Sequence, residues 1–269
     1  MFRLALAVYR KNRTTTMRAY PWSFVMARIS GAIFSLAVPL ILYYLVFEER
    51  LSDGFMEYTN NSNYINFIAI GAIINVLSFS TLMNVGRCLI TEQREGTLDN
   101  FLLSPASRHG YYIGVYMEQF VRSLFEAFFV AVFSFAFGFR INIIDFPIIL
   151  LCIVLSSVTF FSVSILISTI MIYTRDTYLV QNTMFLVMSC LCGVAFPVEY
   201  LPKTLRIISR IIPMTYTLKI TRECSEGTFS SRKYGTDILI LIILSIVYYV
   251  LGYCGFRKLE KKLIEDVLS

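Results

Sequence analysis

This sequence predicts an all-α, polytopic membrane protein with six transmembrane helices, and three observations lead there. Of its 269 residues, 57% are hydrophobic and 16% charged, with a mean hydropathy of +0.66, whereas soluble domains carry about 25% charged residues. Charges are missing from residues 29–47, 58–86, 146–174, 177–198 and 238–256, each close to or above the roughly 20 residues that cross a hydrocarbon layer. These runs are continuous rather than alternating as barrel strands are, and backbone in lipid must satisfy its own hydrogen bonds, so they are read as helices.

A sixth span is expected over residues 111–139, where only 127–139 is free of charge and the helix must take in Arg122 and Glu126 to reach full length. Orientation follows from the flanks. The first 28 residues hold Arg3, Arg10, Lys11, Arg13, Arg18 and Arg28 with no acid, while residues 48–63 hold four acids and one Arg. Positive flanks stay inside, which places the amino terminus and, after six crossings, the basic tail 257–269 in the cytoplasm. One segment pulls the other way: residues 199–237, placed outside, carry seven Lys or Arg against four acids. The first span is read as retained rather than as a secretory signal, because its basic and apolar parts are long and no small-residue cleavage pattern follows Phe47. The net charge of +6 is thereby explained by membrane orientation and gives no argument for nucleic acid. Of the six cysteines, Cys152, Cys190, Cys192 and Cys254 fall in apolar spans and Cys88 at an inner edge, leaving Cys224 outside. That is a pattern of apolar packers rather than of a disulfide framework.

Within one domain spanning 1–269, four stretches break the membrane pattern. Residues 1–28 begin with Phe2, Leu6 and Tyr9 on one helical face and Arg3 with Arg10 on another, which suits an amphipathic elbow helix in the headgroup layer or a basic tail. Residues 87–110 form a polar hairpin. There Thr97 is a candidate N-cap, Asp99 suits the positive end of a helix, and Leu98, Phe101 and Leu102 make one apolar stripe. Pro105 ends that helix, and Ser104 before it is a candidate cap for the next. So short a helix is marginal alone, so the stripe must be buried, either on this chain's own helix ends or in a cleft of a soluble partner. In the third span Glu118, Arg122 and Glu126 follow at i, i+4 steps as a polar ladder. An unpaired charge near the bilayer centre costs about 2.5–3.5 kcal/mol on insertion scales, so the ladder faces protein or a wet cavity, either as a structural ion-pair ladder or as a proton or substrate path. Finally, Pro197, Pro202 and Pro213 divide the outer segment 199–237, where Lys203, Arg206 and Arg210 share one helical face and Leu205, Ile208 and Ile212 another. A short amphipathic helix or re-entrant hairpin is expected there. Small residues at four-residue spacing, Gly31 with Ser35 and Ser189 with Gly193, suggest close helix contacts.

The string Glu92-Gln93-Arg94-Glu95-Gly96-Thr97-Leu98, followed by LLSPASR at 102–108, resembles the cytoplasmic loop of type-2 ABC export permeases. The stretch FPVEYLP at 196–202 and Pro213-Met214-Thr215-Tyr216 is similar to that family's second recurrent segment. The resemblance implies a permease of a bacterial plasma membrane in which 87–110 is a coupling loop. Glu92, Arg94, Glu95, Gly96, Thr97, Leu98, Phe101 and Leu102 would then meet a separate ABC ATPase, and Pro197, Glu199, Pro202 and Pro213 would shape an outer hairpin near the exit. It also implies a second permease, identical or homologous, surrounding membrane lipids, and ATP and Mg on the partner subunit, with no cofactor on this chain. The residues agree with a divided machine, since no G-x-x-x-x-G-K-[ST] phosphate loop and no Gly-Lys pair occurs. An exporter of amphipathic or lipid-like cargo, such as a peptide, a drug or a lipid-linked glycan, is therefore expected. A proton-coupled carrier using Glu118, Arg122 and Glu126 is the alternative. An intramembrane enzyme is disfavoured, because the single histidine, His109, has no neighbouring nucleophile or ligand set in sequence.

Overall fold

The computed structural model describes residues 2–19, 23–46, 55, 59, 63–140, 146–225 and 231–268. Among these there is no strand. The acidic loop expected over 48–63 lies outside the described residues except at 55, 59 and 63.

The helices, in order, are α1 (Phe2–Ala19), α2 (Ser23–Ile41, continuing as a π-helix over Leu42–Val46), α3 (Tyr64–Gly86), α4 (Cys88–Arg94), α5 (Leu98–Leu103), α6 (Arg108–Ala136), α7 (Phe146–Thr174), α8 (Thr177–Leu191), α9 (Lys203–Ile211), α10 (Pro213–Ser225) and α11 (Ser231–Leu268). A 3-10 turn, Val198–Tyr200, precedes α9. In α2 the widened turn follows Pro39, whose ring blocks the preceding carbonyl and whose missing N–H breaks the ladder.

Among the described residues four helices are long and apolar enough to cross a membrane: α3, α6, Ile149–Thr174 of α7 and Gly235–Glu265 of α11. The shortest, 23 residues, covers roughly 34 Å at 1.5 Å per residue. The run expected to cross over 177–198 is cut short. α8 has 15 residues because Gly193, at φ +79°, turns the chain after Cys192. The helix expected from residue 58 begins instead at Tyr64, where the Asn63 side chain accepts from the Ile65 N–H at 3.0 Å. Of the six expected crossings, four are thus long helices and α8 is a shorter apolar one, while α2 with its π-helical end runs from Ser23 to Val46.

At the centre stands α3, packed on α2, α6, α7, α8 and α10. It carries Ala69, Gly71, Ala72, Asn75, Ser78, Ser80, Thr81 and Asn84, all buried, and such small side chains let neighbouring backbones approach. By contrast α11 lies at the rim against α7, where Gly252 comes so close that a Cβ there would meet the Leu166 backbone nitrogen at 2.7 Å. Outward it shows Leu239, Ile242, Ile243, Ile246, Val247, Val250 and Leu251. Likewise α6 turns Met117, Val121, Phe125, Phe128, Val132 and Phe135 outward and buries Glu118, Ser123, Glu126 and Ser134. Contiguous exposed apolar stripes of this size are what a bilayer covers.

The amino-terminal helix lies along α6, where a Cβ on Gly114 would meet the Ala5 carbonyl oxygen at 2.5 Å. Its packed face is therefore Ala5 and Val8, while of the expected apolar face Phe2 is 74% exposed and Leu6 and Tyr9 are half-buried. Among the described residues neither glycine of the small-residue pairs sits at a helix–helix contact. Gly31 has nothing within 4 Å of a built Cβ, and Gly193 belongs to the turn after α8 rather than to its face.

Candidate functional site: the polar hairpin and the chamber behind it

A single residue, Arg87, separates α3 from α4, and its guanidinium donates to Asn84 Oδ1 at 2.7 Å. The end of α4 is closed by a Schellman motif: Thr97 N donates to Glu92 O at 2.9 Å and Gly96 N to Gln93 O at 3.2 Å. Gly96 sits at φ +69° with open space around it, so glycine is required there for its backbone alone.

Thr97 occupies the N-cap position of α5 but does not cap it by its side chain. Its hydroxyl donates backwards, to Glu92 O and to the Glu92 carboxylate, the stronger acceptor within reach. The next helix does not start at Ser104 and Pro105 either. Ser107 is its cap, accepting from Gly110 N at 3.3 Å, and 105–107 form an irregular bridge. Arg108 fills that bridge. Its guanidinium donates to Leu102 O at 2.6 Å, Phe101 O at 2.8 Å and Ala106 O at 3.1 Å, lies over the Phe101 ring, and pairs with Glu260 on α11 at 2.7 Å. It therefore satisfies the orphan carbonyls at the end of α5.

The apolar stripe of α5 is consumed inside the chain. Leu98 and Leu102 are 3% and 4% exposed, packed in a cluster with Val85, Leu89, Tyr112 and Phe256, while Phe101 lies half-buried against Tyr111 at 4.6 Å between rings. Of the eight residues expected to meet a partner, Leu98, Leu102 and Glu92 are buried and Phe101 is half-buried. Arg94 is exposed and donates to Thr177 Oγ1 on α8 at 2.8 Å. The surface left to an outside molecule is Thr91, Arg94, Glu95, Gly96, Thr97, Asp99, Asn100, Leu103 and Pro105. Residues 257–268, expected as a tail, continue the helix, and Leu259, Leu263 and Ile264 pack on the same cluster.

Glu92 is the inner anchor. It accepts from Lys11 Nζ on α1 at 2.7 Å and from Tyr111 OH at 3.0 Å. Burial pushes its carboxyl up, but the bonds from Lys11 and Thr97, the Lys11 charge and the Tyr111 hydroxyl outweigh that, and it titrates below the usual carboxylate range. Lys11, Arg108 and Glu260 are the residues that sequence reasoning missed. Their partners lie 81 and 152 positions away, and no local spacing encodes such pairs.

The ladder on α6 faces inward. Glu118 and Arg122 pair directly, Gln119 donates to Glu118, and Glu126 follows one turn on, 6% exposed. A chamber of about 370 Å³ brings Glu118, Gln119 and Arg122 together with Lys11, Glu92 and Arg94. The ladder and the back of the hairpin therefore share one polar space, although they are distinct in sequence.

At the far end, Pro197 caps the 3-10 turn, Pro202 precedes α9, and Pro213 opens α10, where its missing N–H costs nothing. Glu199 is exposed in the turn between them. Arg222 of α10 ties this end together by donating to Gly193 O, Val194 O and Phe67 O at 2.8, 2.9 and 3.1 Å. Cys224, expected outside, is buried beside Cys152 between α7, α10 and α11.

A bundle of long apolar helices, interrupted at one end by a short polar hairpin and at the other by an amphipathic one, defines a multi-pass membrane protein. Residues 21–224 match the ABC-2 type transporter family, and the chain belongs to that family. Members of it are membrane subunits of transporters rather than catalytic domains, and they generally partner with an ABC ATPase. The chain is also similar to a Cyanophora paradoxa protein that bears the name transport permease ycf38, with 26% identity over 221 residues, covering 75% of this chain and 73% of that one.

Proposed function

We propose that this chain is the membrane-spanning permease subunit of an ATP-driven exporter, moving an amphipathic or lipid-like cargo outward across the plasma membrane by alternating access. In this reading α2, α3, α6, α7, α8 and α11 are the six crossings, both termini and the hairpin are cytoplasmic, and α9 with α10 forms the outer hairpin. A separate ABC ATPase, carrying ATP and Mg, docks on the hairpin, and a second permease, identical or homologous, completes the transporter.

The observation that carries the reading is how the hairpin is held. Its rim is exposed, while its inner side is bonded to three helices that do not adjoin it in sequence: α1 through Lys11 and Glu92, α8 through Arg94 and Thr177, and α11 through Arg108 and Glu260. A push on the rim therefore reaches both sides of the bundle. The test must use rim residues, because Leu98→Asp would bury a charge in this chain's own core. Leu103 is 56% exposed and Asp99 points to solvent. The expected outcome for Leu103→Asp with Asp99→Arg is normal membrane insertion and loss of co-purification with the ATPase, a drop of at least about tenfold for a central interface contact. Undiminished co-purification would remove the hairpin from the interface. The shared chamber favours one other reading, a proton-coupled carrier in which Glu118, Arg122 and Glu126 relay charge.

A further inference from the structure

Beneath α9 at the far end lies a cavity of about 480 Å³ into which Arg206 and Arg210 of α9 and Lys219 and Arg222 of α10 converge. Glu199, Glu223 and Asp237 also line it; Lys219 and Asp237 pair with each other at 2.8 Å, and three arginines then face two glutamates, an excess of one positive charge. Arg206 donates to two backbone carbonyls, of Glu199 and Leu201, at 2.5 and 3.2 Å. Carbonyls solvate a guanidinium without cancelling its charge. The Arg206 Nε is buried and has no acceptor among the described residues. Beside this cationic arc, the same helix turns Ile207, Ile208 and Ile211 outward, 62%, 45% and 54% exposed. A nine-residue helix with one flank basic over a cavity and the next flank apolar in the open matches the boundary between headgroups and acyl chains.

We propose that this cavity receives the phosphate group of a membrane glycerophospholipid, held by Arg206 and Arg210, with an acyl chain lying over Ile207, Ile208 and Ile211. Arginine suits the role because its guanidinium stays charged and offers five donors in fixed directions, so Arg206, with Nη2 held by two carbonyls, keeps Nε and Nη1 for phosphate oxygens. The orphan Nε of Arg206 supplies one such donor, and the exposed Arg210, one turn along, supplies the next. The proposal takes from the preceding reading only that α9 lies at a membrane surface, and it does not require an ATPase or a transported cargo.

The full-length protein, purified in detergent and titrated with dioleoylphosphatidylglycerol under native mass spectrometry, tests it. The wild type is expected to hold one lipid per chain more tightly than the rest. In Arg206→Gln with Arg210→Gln that first affinity should fall about tenfold, the usual scale for losing charge-assisted bonds to phosphate. Lys203→Gln, on the same helix but not lining the cavity, should leave it unchanged. If the double variant fails to fold, judged by its unfolding midpoint, Arg210→Gln alone carries the comparison, since Arg210 is exposed. Equal loss in Lys203→Gln, or no loss in the arginine variants, overturns the site. Displacement of the lipid by millimolar inorganic phosphate would assign the cavity to a free anion and overturn the lipid assignment. ATPase co-purification from the same preparations separates these outcomes from failure of the exporter reading.

Discussion

Glu92 is 7% exposed although most polar side chains around it face water, and Lys11, Thr97 and Tyr111 all donate to it. Because its folded pKa lies below the ordinary carboxylate value of about 4.3, its contribution to stability is fully present above that value. It is lost as pH falls through the folded pKa. The side chain of Lys11 is 52% exposed, which discounts the pair to about 1 kcal/mol or less. Acidification below about pH 4 should therefore loosen α1 from the hairpin, seen as faster hydrogen exchange in residues 2–19. Glu92→Gln should show that loosening already at pH 7 and no further step on acidification; an unchanged acid step in the variant would move the effect to another group. The residues that bind this hairpin together were only partly legible. Pro105 announces a helix break by its own backbone restriction. Arg108 carries no such mark, because its role depends on carbonyls and on a carboxylate 152 positions away.

At the level of elements, α1 and α5 make the same point. Periodicity detects that each has an apolar face but not what covers it. In α5 the stripe of Leu98, Phe101 and Leu102 turned inward to a core built from α1, α3, α4, α6, α7 and α11. That left Leu103 and the polar rim for a partner. In α1 the contact surface was chosen by Gly114, where α6 has a gap in its side-chain cover. Gly114→Val would place atoms against the Ala5 backbone and Val8, neither able to yield easily, at a cost of about 1–3 kcal/mol by the usual scale for overpacking. The expected result is α1 detached from α6, read as labelling of an Ala5→Cys thiol that is protected in the parent. Gly31→Val, which meets nothing within 4 Å, should leave that protection intact. Labelling unaffected by Gly114→Val would show that α1 is held elsewhere.

Across the whole molecule, helices of similar apolarity occupy opposite positions. The most apolar stretch of α3 has a mean hydropathy of 1.9 and that of α11 2.4, yet 72% of the first is buried inside the protein and 11% of the second. Greater hydropathy does not mean greater burial where the solvent is lipid, because lipid accepts a leucine as readily as a neighbouring helix does. The polar and small side chains decide instead, and they gather on α3 and on the inner face of α6. The inward ladder also sets a test of energy source. With Glu126→Gln, export of an identified cargo should persist in energised cells, slowed by no more than about tenfold if the ladder is structural, and should cease when ATP is depleted. Transport that continues without ATP and vanishes in the variant would favour the carrier.

Length, hydropathy and backbone-restricting residues were enough to establish a multi-helix membrane protein, the polar hairpin at 87–110 and the amphipathic segment after Pro202. These are properties that each stretch of chain has by itself. Which helix stands in the middle, that α8 turns back at Gly193, that the α5 stripe is covered from within, and that the hairpin and ladder share a chamber were decided only on folding. Each depends on pairs of groups far apart in sequence, whose free energy exists only once the helices have packed.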